Sequence, residues 1–386
     1  MIVKLVDIFN LQMGKTPARN NKAYWNDGEY DWISISDLGN YKKYISSTKE
    51  KITELAIKES GIKKVPSHTL LMSFKLSVGK TAITKCEVYT NEAIMAFIPK
   101  HKYDVYIDYF YYLFSWKDWS NDTSRAVMGA TLNKSTLGQI MVKIPPLDEQ
   151  CKIAETLDKV CNLIAKRKEQ LEKLDLLVKS KFVEMFGNPE NNSNNFQIEK
   201  LSKYLNVIGG YAFKSVNFLD VGIPILRIGN INSGHFKPVN MVFWKEDFTL
   251  EKYKVYPNDL VMSLTGTVGK DDYGNVCILG NEYDEYYLNQ RNAKLQMTGN
   301  LNKWYLMQIL KFPSVKSKLT GISRGVRQAN ISNRDILNLC IPIPPIELQN
   351  QFAEFVQQTE QTKTIINQSL EKLETLKKAL MQEYFG

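Results

Sequence analysis

The chain has 386 residues, 44 % hydrophobic and 24 % charged, a composition that excludes disordered and fibrous classes and leaves room for two ordinary domains. Its five cysteines (Cys86, Cys151, Cys161, Cys277, Cys340) are scattered with no CxxC pair, which argues against a disulfide framework or zinc site and for reduced thiols in a cytoplasm. The net charge of +9 is shared: residues 1–149 carry 20 basic and 16 acidic side chains and residues 188–348 carry 18 and 14, +4 in each, as expected of two regions that meet the same polyanion.

Near the start, Lys4, Asp7 and Asn10 stand where a leader would need an apolar run, and no stretch approaches the ~20 apolar residues of a membrane span. The chain opens at Lys4-Leu5 and reaches Gly14; alternation over Trp32–Leu38 predicts a strand. Lys42-Lys43-Tyr44 follows as a basic loop with an aromatic. Leu71–Lys80 reads as strand, turn, strand, with Gly79 at the bend and Lys75 and Lys80 on the turn. Next come Asn91-Glu92, an aromatic helical stretch at Ile107–Trp116, a loop bearing Arg125, and Thr131-Leu132-Asn133-Lys134. Ile144-Pro145-Pro146-Leu147 then stops what precedes it and presets φ for a helix.

That helix carries Ile153, Leu157, Val160, Ile164, Leu171, Leu174, Val178 and Met185 at alternating four- and three-residue steps, interrupted by Arg167 and Lys181, and ends at Phe186-Gly187. Steps averaging 3.5 residues predict a coiled coil. A surface helix lying on its own domain is the competing reading, but ~38 residues make a rod of roughly 57 Å, longer than a domain is wide. Asn188–Asn195 is a breaker-rich linker.

Then the pattern repeats. Lys200-Leu201 to Gly210 matches Lys4-Leu5 to Gly14, and Ile225–Ile231 matches the first alternation. Val261–Lys270 matches Leu71–Lys80, and Asn289-Gln290 matches Asn91-Glu92. Leu301–Leu310 is the second aromatic helical stretch, Ser323–Val326 the second Arg-bearing loop, and Ile343-Pro344-Pro345-Ile346 the second launch, 199 residues after the first. The second long helix repeats the seam at that offset with Phe352, Val356, Thr359, Ile366, Leu370, Leu373, Leu380 and Tyr384, interrupted by Lys363 and Lys377, and ends at Phe385-Gly386. Equal length and matched register favour antiparallel pairing with one module at each end. The fold class is therefore α/β (α+β): two globular modules alternating with two long helices that pair as an antiparallel coiled coil, an internal pseudo-two-fold repeat. Its segments are 1–146, 147–187, 188–196, 197–345 and 346–386.

No catalytic constellation emerges. Gly14-Lys15-Thr16 and Gly79-Lys80-Thr81 lack the earlier glycine of a phosphate-binding loop, with Phe9 and Phe74 in its place. His68, His101 and His235 are far apart and unrepeated, so neither a metal site nor a general base is expected. What the modules offer is basic and polar loops with aromatics among them: Lys42, Lys43, Lys75, Lys80 and Arg125 in the first, and Arg227, Asn230, Lys237, Lys270, Arg324, Arg327 and Gln328 in the second. Lysine and arginine neutralise phosphates, while Arg, Asn and Gln can read base edges. Trp25 and Trp244 fit either the core or a DNA-facing position, and the core is favoured.

Two divergent modules, each closed by I-P-P-L/I into a long helix ending F-G, resemble the specificity subunits of type I restriction–modification systems. The resemblance covers essentially the whole chain and is most specific at Ile144–Gln150 with Ile343–Gln349, Thr131–Lys134 with Asn330–Asn333, and the Val78-Gly79-Lys80 and Val268-Gly269-Lys270 turns. Leu348 departs from the family's usual Glu, present here as Glu149. It implies that each module is a target recognition domain reading one half of a split site on double-stranded DNA. The helices would fix the unread spacer and dock two methyltransferase subunits, with restriction subunits as a further component. This chain would be non-catalytic and without cofactor; S-adenosylmethionine is expected on the methyltransferase subunits, which methylate adenine N6. Two readings from other classes compete: a coiled-coil scaffold whose modules bind proteins, and an enzyme with an unrecognised site. A steep fall of binding with salt separates DNA binding from the first, and turnover by the purified chain alone would support the second.

Overall fold

The structure, a computed structural model, describes residues 1–75, 77–119, 124–126, 129–321 and 328–386, and for 124–126, 129–131 and 328 the backbone alone. Residues 1–168 with 368–386 form one compact unit and residues 169–367 another. Both divisions fall inside long helices, Leu147–Phe186 and Ile346–Phe385, of 40 residues each. Each unit therefore holds the start of one long helix and the end of the other.

In the first unit, Ile2–Lys4 pairs antiparallel with Met141–Lys143, returning the chain to its first strand just before the proline pair. A five-stranded sheet follows the order Phe9–Met13, Ile94–Pro99, Leu70–Ser73, Thr81–Thr84, Tyr44–Ile45. Its central strands are apolar on both faces because both are covered. Leu70 and Met72 enter one core with Phe97 and Phe110, while Leu71 between them enters another with Ala82 and Ile94. A smaller sheet joins Tyr30–Ile33 in parallel to Tyr89–Thr90 and antiparallel to Glu50–Ile52. The expected strand over Trp32–Leu38 is only half strand. Ser34 and Asp37 form a reciprocal helix cap, the Ser34 hydroxyl accepting from the Asp37 amide at 3.2 Å, and Ile35–Leu38 is a helical turn.

The second unit repeats the plan. Gln197–Lys200 pairs with Cys340–Ile343, and the main sheet runs Leu205–Gly209, Asn292–Met297, Leu260–Ser263, Val276–Ile278. Again alternate residues of the central strand divide between cores, Leu260 and Met262 on one side and Val261 on the other. Ile223–Leu226 pairs in parallel with Tyr286–Leu288, and its alternation too gives way to a helical turn, Ile228–Asn230. The helices Ile107–Trp116 and Lys303–Leu310 occupy matched places: the Tyr109 hydroxyl donates to the Lys143 carbonyl at 3.1 Å and the Tyr305 hydroxyl to the Pro342 carbonyl at 2.7 Å.

The matched landmarks have a steric cause. Gly14 and Gly210 lie against the turn that leaves the parallel strand. A Cβ on Gly14 would fall 2.1 Å from the Thr90 carbonyl oxygen, and one on Gly210 would fall 2.2 Å from that of Asn289. Only glycine permits that approach. At the expected bends, Gly79 and Gly269 adopt φ of 93° and 79°.

Within each unit the long helices pack antiparallel. In the first, Lys168 pairs with Glu374 at 3.0 Å, and Met381 joins Leu157 in the core. In the second, Lys363 pairs with Asp175 at 2.6 Å and Phe352 meets Phe182 and Phe186 at 5.4 Å. From Ile153 to Val178 and from Phe352 to Leu380, every seam position is buried or half-buried, including the charged interruptions Arg167, Lys363 and Lys377. At the end of the first helix the seam positions Lys181 and Met185 stay half-buried, and a second packed row stands beside them. Val178, Phe182 and Phe186 are buried at i, i+4, i+8, because there the helix faces the second unit's core as well as its partner helix.

Candidate nucleic-acid interface

The proline-pair launch is held by a buried glutamine in both units. The Gln150 amide accepts from the Tyr106 amide nitrogen at 2.9 Å and donates to the Asp104 and Pro145 carbonyls at 2.9 and 3.0 Å. Gln349 accepts from the Asn302 amide nitrogen at 2.8 Å and donates to the Pro344 carbonyl at 2.7 Å. Each glutamine ties the start of a long helix to the loop before the helix of its module, so the module's loops are carried rigidly on the rod.

Two sets of loops are brought together. The first set joins the glycine turn to the segment that follows the Arg-bearing loop, at Leu132 and at Ile331. The Leu132 amide donates to the Phe74 carbonyl at 2.8 Å, and the Ile331 amide to the Leu264 carbonyl at 2.9 Å. Thr265–Thr267 pairs with Gln328–Asn330, placing Thr267 opposite Gln328, and Ser124–Ala126 pairs antiparallel with Gly129–Thr131. Lys80 and Lys270 are exposed on the glycine turns, and Lys75 is half-buried beside Phe74. Arg125 and Gln328 are placed by backbone only; Arg324 and Arg327 lie outside the described residues.

The second set follows the helical turns after the parallel strands, and here two candidates are turned inward. Lys43 is 13 % exposed in its side chain, and its ammonium sits 2.6 Å from both Asp108 and Asp158. The Tyr44 hydroxyl donates to Asp108 at 2.6 Å and the Tyr112 hydroxyl to Asp158 at 2.6 Å. Burial pushes the Asp108 carboxyl up, but Lys43 and Tyr44 outweigh it and hold the group below its ordinary value. With two carboxylates already on it, Lys43 clamps its loop to Asp158 of the long helix and is not free for phosphate. Asn230 is 2 % exposed: its side chain accepts from the Arg227 amide at 2.9 Å and donates to the Lys237 and Val239 carbonyls at 3.0 and 3.1 Å. It shapes the turn rather than facing a ligand. Lys42 and Lys237 are exposed, and Arg227 is half-buried with one guanidinium nitrogen donating to the Asn240 carbonyl. Trp25 and Trp244 are half-buried against the satellite cores, Trp25 edge-on to Trp32 at 5.1 Å with Arg19 over its face at 3.9 Å.

The reading from sequence passed over Gln290 and Arg291 as contact residues. Both are exposed, on the turn against which Gly210 packs, and they line a cleft of about 530 Å³ with Arg227. The signal available was a repeated turn with unlike side chains, Asn91-Glu92 against Asn289-Gln290. Among the described residues no group of three His, Cys, Asp or Glu side chains is placed to hold a metal, and no helix is long and apolar enough to cross a membrane.

Duplicated mixed modules, each closed onto a long helix and presenting basic turns, define a protein built of two copies of one plan. The family model described as "Type I restriction modification DNA specificity domain" matches residues 1–173 and 191–375, and the chain belongs to that family. It is 33 % identical over 254 residues to the type I restriction enzyme MjaIX specificity subunit of Methanocaldococcus jannaschii, covering 60 % of this chain and 58 % of that one. It is 24 % identical over 291 residues to the EcoKI specificity subunit of Escherichia coli, covering 69 % and 62 %. These matches thus span less than two thirds of the length of those relatives. The crystal structure of the type I restriction–modification S subunit from M. genitalium has the same fold, with a TM-score of 0.63 at 13 % identity over 100 % of this chain and 96 % of that one.

Proposed function

We propose that this chain is the DNA-reading subunit of a type I restriction–modification complex. Residues 1–146 and 197–345 each act as a target recognition domain for one half of a bipartite site, and the helices 147–187 and 346–386 set the unread spacer. Two methyltransferase subunits dock on the helices and supply S-adenosylmethionine and adenine N6 methylation; restriction subunits complete the nuclease form in the cytoplasm. The chain itself positions and does not catalyse. The observation that carries this reading is the repeat of one mechanical unit: a module whose loops are locked by a buried glutamine, Gln150 or Gln349, to the start of a 40-residue helix. A device that presents two unlike loop sets on equal rods suits two half-sites at a fixed interval.

The test is a genome-wide map of N6-methyladenine by single-molecule sequencing, after co-expression of the chain with its methyltransferase in a host lacking adenine marks. A bipartite motif with a fixed gap, absent without this chain, is expected. A methyltransferase that binds the chain yet leaves no motif would sink the reading.

A further inference from the structure

The cleft in the second unit differs from four other cavities of the molecule in its charge. Those four each carry at least one carboxylate on the wall. This one carries Arg227 and Arg291 and no acidic side chain, with Asn289 and Gln290 beside them and Phe213 and Phe218 as apolar wall. Neither arginine has a carboxylate within ion-pairing distance among the described residues, and the Nε–H of Arg227 is buried without an acceptor. A concave surface that collects unpaired donors and amides and excludes carboxylates is built to receive acceptors.

The turn is rigid where it matters. The Asn289 amide donates to the Leu226 carbonyl at 3.2 Å, the Gln290 amide to the Tyr211 carbonyl at 2.9 Å, and the Arg291 amide to the Asn289 side chain at 3.2 Å. The Leu264 amide donates to the Arg291 carbonyl at 2.8 Å. The backbone is thus fixed on four sides while, among the described residues, the side chains of Gln290 and Arg291 make no hydrogen bond of their own. Preorganised backbone with free polar ends is the arrangement for reading, since little ordering remains to be done on contact. The first unit keeps the turn and changes the chemistry. The Asn91 amide donates to the Ile33 carbonyl at 3.0 Å in the same way, but Glu92 stands where Gln290 does and accepts from Thr16.

We propose that this cleft is where the second unit reads base identity, with Gln290 and Arg291 contacting neighbouring base pairs in the major groove, an adenine and a guanine. The inference rests on the function proposed above and names a reading site within it. Adjacent Cα atoms are about 3.8 Å apart and stacked base pairs about 3.4 Å, so consecutive residues on one turn suit consecutive pairs. A glutamine amide matches adenine N6 and N7, and a guanidinium matches guanine O6 and N7. Each such pair discriminates by roughly 5- to 150-fold.

The experiment maps N6-methyladenine for the full chain co-expressed with its methyltransferase, as wild type and as Gln290→Ala, Arg291→Ala and Arg291→Lys. Each substitution is expected to make one position degenerate, the two positions adjacent and in the same half-site, with the other half-site and the gap unchanged. Arg291→Lys should relax its position as well, because a lysine keeps the charge and loses the fork. Full retention of the motif by all three variants would overturn the proposal. So would degeneracy in both half-sites, or loss of marks from Arg291→Ala with an intact motif from Arg291→Lys, which is the behaviour of a phosphate contact. Loss of all marks from both arginine variants would assign a structural role and overturn it too. A wild-type complex that leaves no marks sinks the function itself, an outcome the variants cannot mimic.

Discussion

At the scale of single residues, the buried polar groups that are fully paired carry the most consequence, because each depends on one partner set. Gln349 is fully buried and serves the Asn302 amide and the Pro344 carbonyl. Gln349→Ala should lower stability by about 1–3 kcal/mol, the cost of leaving buried backbone groups unpaired, seen as a lower urea midpoint at unchanged slope; an unchanged midpoint would show that the glutamine is ornamental. Asp108 gives a pH signature. Its folded value lies below the ordinary 3.8, so its contribution is full above that pH and fades as pH falls through the lowered value. The stability gap between wild type and Asp108→Asn should therefore be open at neutral pH and close on acidification below about 4. A gap constant across that window would mean that Lys43 does not hold the carboxylate. Neither role was legible in the sequence. Lys42-Lys43-Tyr44 reads as a basic surface loop, and nothing local reveals that Asp108 and Asp158 lie 65 and 115 residues further on, waiting for Lys43. Asn230 likewise looks the same in sequence whether it faces a base or three backbone groups.

At the scale of elements, what was legible is what repeats for a steric reason. Gly14 and Gly210 could be matched because nothing larger fits against the Thr90 and Asn289 carbonyls, and the proline pairs because each must end a strand and begin a helix. The seam was legible because a 3.5-residue rhythm has one cause. Where two causes compete the pattern blurs. Trp32–Leu38 alternates like a strand, but the Ser34–Asp37 cap turns its second half into helix. At the end of the first long helix, the module core joins the seam, and Phe182 becomes the anchor. It is fully buried with Tyr305, Phe312, Phe352 and Phe186 around it at 4.9–5.4 Å. Phe182→Ala should destabilise the second unit by roughly 3–5 kcal/mol, whereas Val183→Ala, one residue on at an exposed position, should cost little. Equal effects on the denaturation midpoint would mean that the helix end is not seated in the core.

At the scale of the whole molecule, the chain crosses from one unit to the other twice, after Lys168 and after Asn367, and both crossings are inside the long helices. Helix length is thus the covalent quantity that separates the two loop sets, whatever else surrounds them. Adding one heptad at each crossing preserves the seam, since seven residues restore the same face, and lengthens each helix by about 10.5 Å. Along B-DNA that is about three base pairs, which also rotates the far half-site by roughly 100°. On the proposed function, in which both halves are read at once, the chain cannot ignore the change. The lengthened chain, co-expressed with its methyltransferase, should lose the wild-type motif, and any motif that replaces it should keep both half-sites with a wider gap. Circular dichroism showing added helix, together with an unchanged motif and gap, would count against the helices as the ruler and leave spacing to be set elsewhere.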